Sequence, residues 1–235
     1  MTKAVRHPGT KGPSQPKEGY GHAPLGKVQG PSTRAKPRKR MRYDEDAPTY
    51  PRFEVPPKAA RKRLSVGLVH IYTGGGKGKS TAGFGLIVRA VGHGLHCCLI
   101  QFMKKGNYGE IATLRTLPGV HIEQYGSGHW VKRSHPAKED LDLAAAGVKS
   151  AVRAVKGGKF DLVILDEVNT AVVRGLIPVA SVLELMEKKN PRTELVLTGR
   201  GAPKALMDRA HLVTMMVGMK HPYHGGIDAR PGIEW

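Results

Sequence analysis

Apolar residues after position 63 alternate between short continuous runs and stretches with helical spacing. The continuous runs predict six strands, at residues 64–72, 97–102, 120–124, 160–165, 194–198 and 212–216. Because several of these runs are apolar at nearly every position, both faces of the sheet must be covered, as in parallel sheets. The alternation of strands and helices therefore predicts a three-layer α/β domain with a mostly parallel central sheet.

The predicted helices lie between these strands. They cover residues 80–91, 111–117 and 203–209, with another beginning at Pro178. A longer helix is predicted to follow Ser134 as N-cap, with Pro136 inside its first turn, and to continue to Gly157.

Residues 1–63 differ from the rest of the chain. They carry 16 basic and 5 acidic residues and ten of the 17 prolines, without sustained helix or strand periodicity. This composition predicts a disordered, Pro-rich basic extension, followed by one domain at residues 64–235. The extension could contact a polyanion such as nucleic acid, or it could be a solvated tail. No aromatic platform accompanies the charge, so the sequence does not support nucleic-acid contact.

Hydropathy and cysteine usage indicate a cytoplasmic protein. No stretch approaches the roughly 18 consecutive apolar residues that span a bilayer, and the basic N-terminus is not followed by the apolar region of a secretory signal. Cys97 and Cys98 are adjacent in a predicted strand, so their side chains point to opposite faces. Buried thiols are therefore expected rather than a disulfide or a metal site.

A glycine-rich segment, VHIYTGGGKGKST, connects the first strand to the first helix. Glycines let backbone N–H groups approach phosphate oxygens, and the helix N-terminus adds its dipole. Lys79 would place a positive charge on the phosphates, and the Ser80 hydroxyl could bind Mg²⁺. The predicted nucleotide-binding residues of this segment are Thr73, Gly74, Gly75, Gly76, Lys77, Gly78, Lys79, Ser80 and Thr81. Thr73 stands where the usual phosphate-loop motif has glycine.

Two later segments predict the rest of a nucleotide site. The run FDLVILDE delivers Asp166 and Glu167 to the carboxyl edge of the sheet, where an acidic residue normally holds or orients Mg²⁺. The segment LTGRG places Arg200 at the same edge, where it could contact a phosphate or a second substrate, or form a surface ion pair. These residues predict binding of a nucleoside triphosphate with Mg²⁺, and they leave its reaction open.

The motifs taken together are more specific than a phosphate loop. TGGGKGKSTAGFG, RAVGHG, IQFMK, VILDEVN, LTGRGAP and the ending KHPYHGGIDARPGIEW resemble the P-loop-type ATP:corrinoid (cob(I)alamin) adenosyltransferases, from about residue 64 to residue 235. Thr73 is usual in that family. The resemblance implies a P-loop NTPase (RecA-like) fold. It also implies transfer of the 5′-deoxyadenosyl group of ATP to the Co(I) centre of cobalamin or cobyrinic acid a,c-diamide, with release of triphosphate, in adenosylcobalamin biosynthesis or salvage.

The resemblance also implies roles for individual residues. Co(I) is itself the nucleophile, so the protein must align the substrates and stabilise the charge of the leaving triphosphate. Lys77, Lys79 and Arg89 are expected to be catalytic, and Ser80, Asp166 and Glu167 to hold Mg²⁺ or Mn²⁺. Arg200 is expected to bind nucleotide, and the residues expected to bind the reduced corrinoid are Arg89, His129, Trp130, Val131 and His221. A homodimer and an electron-donating reductase are the expected partners.

Two features depart from the family pattern. His129 and Val131 occupy positions where relatives often have aromatic residues against the lower face of the corrinoid, and the basic extension is longer than usual. Two alternatives therefore stay open beside the enzyme. One is a nucleic-acid-associated P-loop ATPase anchored by the basic tail. The other is a corrinoid-binding or chaperone-like protein without efficient turnover.

Overall fold

The computed structural model describes residues 63–106, 108–129, 131 and 136–234. Within these residues six strands form one sheet: β1 (Val69–Thr73), β2 (Cys97–Phe102), β3 (Val120–Tyr125), β4 (Leu162–Asp166), β5 (Glu194–Thr198) and β6 (Leu212–Met215). The strand order is β3-β2-β4-β5-β1-β6, and every neighbouring pair is parallel. All six carboxyl ends therefore lie at one edge, as the apolar runs predicted.

Helices connect these strands on both faces of the sheet. Those that the structure describes are α1 (Lys79–Gly92), α2 (Gly109–Leu114), α3 (Lys138–Lys156), α4 (Val168–Val173), α5 (Val179–Glu187) and α6 (Lys204–Met207), and a 3₁₀ turn covers Pro222–Gly225. None of the helices in this described part has the length and apolar character needed to cross a membrane.

Alternate residues of the buried strands pack into two separate cores, which gives the three predicted layers. In β2, Cys97 and Leu99 pack with α1 and α2, whereas Cys98, Ile100 and Phe102 pack with α3, α4 and α5. Both cysteines are buried free thiols, as expected. Burial raises the pKa of the Cys98 thiol to about 12, so this thiol stays protonated at neutral pH.

Several predicted boundaries were wrong. β1 begins at Val69 rather than residue 64, because the amide of Leu68 donates to the side chain of Glu194 (2.6 Å) instead of to a backbone carbonyl of the neighbouring strand β5. α3 begins at Lys138, so Pro136 precedes the helix rather than lying in its first turn. The predicted N-cap, Ser134, lies outside the described residues, as does nearly all of the predicted extension at residues 1–63.

Helix α4 was not predicted. Its sequence VNTAVV is short, and its polar Asn169 and Thr170 interrupt the apolar spacing, so the pattern resembles a loop after the strand. In the folded protein Asn169 is buried and donates to the Leu197 carbonyl oxygen at 3.4 Å. The helix is thus stabilised by packing against the end of β5, which no local pattern reveals.

Gly147 allows α3 to lie close against the sheet. A Cβ atom at this position would lie 2.6 Å from Cε1 of the buried Phe102 and 3.1 Å from the Tyr125 ring. We expect Gly147→Ala to lower the free energy of unfolding by about 1–3 kcal/mol, because it forces overpacking. Urea unfolding measures this change. Gly92→Ala, whose Cβ would meet nothing within 4 Å, is the control, and an equal loss in both variants would contradict the close-packing explanation.

Candidate active site

The glycine-rich loop forms a tight turn between β1 and α1, supported by the chain after β6. Gly74 and Gly78 have positive φ angles of 98° and 106°, which favour glycine. The Gly76 amide donates to the Met216 carbonyl at 2.8 Å, and a Cβ at Gly74 would lie 2.4 Å from that oxygen. The glycines are therefore required by close backbone contact as well as by any phosphate.

Thr73 fits the loop without strain. It is the last residue of β1, and the first positive φ comes one residue later, at Gly74. Its buried hydroxyl accepts a hydrogen bond from the Ala202 amide at 3.0 Å. Threonine at this position thus ties the phosphate loop to the segment after β5, which explains how the glycine of the usual motif can be replaced.

The two loop lysines differ in environment. Lys79 is buried, and its Nζ donates to the Gly76 carbonyl at 2.5 Å. Burial, followed by the charge of Arg200, lowers the pKa of Lys79. Lys77 is more exposed and pairs with Glu234, Nζ to Oε1 at 2.6 Å, close to the C-terminus. Hydrogen bonds from Arg230 and Lys77 lower the pKa of Glu234 to about 2, so the carboxylate is ionised at neutral pH.

Asp166 is the centre of a buried polar network at the end of β4. Its Oδ1 accepts hydrogen bonds from the hydroxyls of Ser80 (2.7 Å) and Thr198 (2.6 Å). Its Oδ2 accepts from Gln101 Nε2 (3.0 Å) and Lys104 Nζ (2.7 Å). Burial alone would raise the pKa of Asp166, but the Lys104 charge and these hydrogen bonds outweigh it and lower the pKa. The carboxylate is therefore held in its charged form.

Glu167 follows immediately in a left-handed conformation, with φ of 61°. Its amide donates to the Thr198 hydroxyl at 3.1 Å, and its carboxylate accepts from the Thr170 hydroxyl at 2.5 Å. The same Thr170 hydroxyl accepts from the Arg200 amide at 2.9 Å. Backbone in a rarely populated region is often found at functional sites, and here it accompanies the contact of the Glu167 amide with Thr198, the last residue of β5.

Two neighbouring cavities meet at this edge of the sheet. The first, of about 750 Å³, lies over the phosphate loop and is lined by residues 76–81, among others, and by the C-terminal residues Gly232 and Glu234. The second, of about 440 Å³, is lined by His129 and Arg174 among others. Lys104, Glu167 and Arg200 line both cavities. The arrangement offers space for a nucleotide and, beside it, for part of a second substrate.

The residues expected to bind corrinoid are not all brought together. His129 is exposed and lines the second cavity; Val131 is buried beside it. Trp130 lies outside the described residues. His221 precedes the 3₁₀ turn, where its Nδ1 accepts from the Tyr223 amide at 3.2 Å. Arg89 is exposed on α1 and lines a third, apolar cavity that includes the starts of β4 and β5, so the fold of one chain does not bring it to the phosphate loop.

Four residues of the site were not predicted: Gln101, Lys104, Thr198 and Glu234. Gln101 did leave a signal, because it is polar within the otherwise apolar strand CCLIQF, and a buried amide needs partners. Lys104 follows the same strand by two residues at the carboxyl edge. Glu234 lies 157 residues from its partner Lys77, and no local pattern connects two residues so far apart.

The fold and the site together define a P-loop nucleotide-binding protein of the three-layer α/β class. A family model for the ATP:corrinoid adenosyltransferases BtuR/CobO/CobP matches residues 65–235, and the chain belongs to this family. Corrinoid adenosyltransferases from Sinorhizobium sp. and Pseudomonas aeruginosa are 34% and 33% identical to it, over 76% of this chain and 87% and 88% of theirs. Corrinoid adenosyltransferase CobA of Salmonella typhimurium is 29% identical over 76% of this chain and 90% of its own. The resemblance in the motifs is thereby confirmed.

Proposed function

We propose that the protein transfers the 5′-deoxyadenosyl group of ATP to the Co(I) centre of a corrinoid and releases triphosphate. The observation that supports this proposal is the pair of adjoining cavities, which share Lys104, Glu167 and Arg200. A kinase or ATPase site needs an acceptor at the terminal phosphate, whereas adenosyl transfer needs a second substrate at the 5′ carbon. The names of three relatives, corrinoid adenosyltransferase, agree with the proposed transfer of an adenosyl group to a corrinoid.

The chemistry needs few protein groups. The electron pair of Co(I) forms the cobalt–carbon bond, the C5′–O bond breaks, and its electrons stay on the triphosphate oxygen. Because the nucleophile is the substrate itself, the protein has to position both substrates and stabilise the developing negative charge. Lys79, held against the Gly76 carbonyl, and Lys77 both line the nucleotide cavity, which supports the proposal that they bind the triphosphate.

A hard divalent cation fits the oxygen atoms beside the loop. Ser80 and Glu167 both line the nucleotide cavity. The Asp166 carboxylate is buried behind Ser80 and lies 2.7 Å from its hydroxyl. Hydroxyl and carboxylate oxygens suit Mg²⁺ or Mn²⁺ rather than softer metals. We propose that these three residues hold the ion, which would neutralise part of the triphosphate charge.

The corrinoid is proposed to approach from the second cavity. His129 is exposed there, whereas Val131 is buried and its carbonyl oxygen accepts a hydrogen bond from Arg174 at 2.5 Å. His129 is thus the better placed of the two to contact the substrate. A homodimer, an electron-donating reductase and a cytoplasmic location remain predictions from the family resemblance.

An anaerobic assay tests the proposal. The purified protein is mixed with ATP, Mg²⁺ and chemically reduced cobalamin or cobyrinic acid a,c-diamide, and we expect a light-sensitive product with a cobalt–carbon bond and an equal amount of triphosphate. Folded, ATP-binding protein that forms no such product would refute the proposal. Binding of both substrates without product would instead indicate a corrinoid-binding protein, and orthophosphate release stimulated by DNA or RNA would indicate a nucleic-acid-associated ATPase.

Glu234 competes with phosphate for Lys77. The carboxylate contacts Lys77 Nζ at 2.6 Å and lines the nucleotide cavity. We expect Glu234→Gln to tighten ATP binding by about twofold to fivefold, the range for a partly exposed ion pair. Titration calorimetry measures the affinity, and Glu187→Gln, which removes an exposed carboxylate paired with Arg209, is the matched control. Weaker ATP binding by Glu234→Gln would mean that Glu234 supports nucleotide binding instead of opposing it.

A further inference from the structure

Lys104 is aimed at the nucleotide site by an unusual backbone. The preceding residue, Met103, has a positive φ of 56°, which is rare for a residue with a side chain. Its amide donates to the Tyr125 carbonyl at 2.8 Å. Gly126 packs so tightly there that a Cβ would lie 2.4 Å from the Lys104 amide nitrogen. The ends of β2 and β3 thus fix the loop that carries Lys104.

The side chain of Lys104 reaches the proposed metal-binding residues. Its Nζ lies 2.7 Å from Asp166 Oδ2 and 3.5 Å from Ser80 Oγ. The side chain is 25% exposed, whereas Asp166 is fully buried. Lys104 lines both the cavity over the phosphate loop and the cavity beside it.

The contact of Asp166 with Lys104 and the proposed binding of a divalent cation by Asp166 exclude each other in part. The carboxylate accepts the Lys104 ammonium and three neutral hydrogen bonds. Lys104 would give up this contact when Asp166 is used to hold a divalent cation, since two positive charges at one carboxylate repel each other. A lysine ammonium is a compact charge on a flexible four-carbon stem, so it can move to a new anion nearby.

We propose that Lys104 is a further triphosphate-binding residue, which exchanges its contact with Asp166 for one with the triphosphate. The inference rests on the proposed function and adds to it a third lysine for the leaving group, beside Lys77 and Lys79. When the C5′–O bond breaks, the new negative charge stays on the triphosphate, and Lys104 stabilises it as a charged donor without transferring a proton. It approaches from the wall between the two cavities, where the 5′ carbon and the second substrate would meet.

Binding of tripolyphosphate in excess Mg²⁺ tests the role of Lys104 directly. Titration calorimetry on the full chain in excess MgCl₂ compares Lys104→Gln with Lys149→Gln, which removes the same charge from an exposed position on α3. We expect about tenfold weaker binding for Lys104→Gln, the effect of one lost charged hydrogen bond, and no change for Lys149→Gln. Lys104→Arg, which keeps the charge, should recover most of the affinity.

Several outcomes would overturn the proposal. Unchanged tripolyphosphate affinity in Lys104→Gln would show that the lysine only supports Asp166, and an equal loss in Lys149→Gln would show a general charge effect. If Lys104→Gln unfolds because Asp166 loses its partner, the same substitution is made in an Asp166→Asn protein. The double variant is then expected to bind tripolyphosphate about tenfold more weakly than Asp166→Asn alone. Equal affinity of these two proteins would contradict the proposal. These measurements need no corrinoid, so their failure is distinguishable from failure of the adenosyl-transfer assay.

Discussion

Lys79→Ala is expected to reduce kcat for adenosyl transfer by about two to three orders of magnitude, as the loss of one preorganised charged donor does elsewhere. Lys79 is buried beneath the phosphate loop and held by the Gly76 carbonyl. Its charge is therefore positioned before the reaction, and water replaces it poorly in the variant. Because triphosphate is more charged on leaving than as part of ATP, the loss should fall mainly on kcat rather than on KM.

The anaerobic assay with reduced corrinoid measures this effect, and Lys77→Ala is the matched comparison. Lys77 has an exposed side chain and already pairs with Glu234, so we expect its removal to cost about tenfold or less, the range for a screened charge. Near-normal kcat in Lys79→Ala would contradict its role in stabilising the leaving group. Circular dichroism shows whether each variant is folded.

The parts of the site that are local in sequence could be predicted. The phosphate loop and the strand ending at Asp166 each combine a backbone requirement with a chemical one, so apolar runs, glycines and the first polar residue define them. The relation between them also follows, because parallel strands place their carboxyl ends at one edge. The structure confirms that Ser80 and Asp166 meet there, at 2.7 Å.

The parts that depend on tertiary contacts could not be predicted. β5 lies between β1 and β4, and its Thr198 therefore joins the two halves of the site by contacting Asp166. No spacing in the sequence indicates that β5 lies between β1 and β4 in the sheet. Arg89 shows the opposite case: it lies only ten residues after Lys79, yet it faces another cavity because α1 carries it away from the loop. Two residues ten positions apart on one helix are close in the sequence but far apart in space.

Asp166→Ala is expected to lower the free energy of unfolding by about 3 kcal/mol, because it removes one partner of a buried ion pair and leaves other donors unsatisfied. The carboxylate is fully buried and accepts four hydrogen bonds, of which the Lys104 ammonium gives the strongest. Since the Lys104 side chain is 25% exposed, water offsets part of the loss, which keeps the value at the lower end of the range for buried pairs. Urea unfolding at neutral pH measures it.

The pH dependence of this loss separates charge from packing. The pKa of Asp166 is lower in the folded protein than its unfolded value of about 3.9. Its contribution to stability is therefore complete above that unfolded value and is lost as the pH falls toward the folded pKa. We expect the difference between wild type and Asp166→Ala to be constant between about pH 5 and pH 7 and to shrink below about pH 4. A difference that stays constant in acid would mean that Asp166 stabilises the fold by shape alone, and the proposed hold on Lys104 would then have no electrostatic basis.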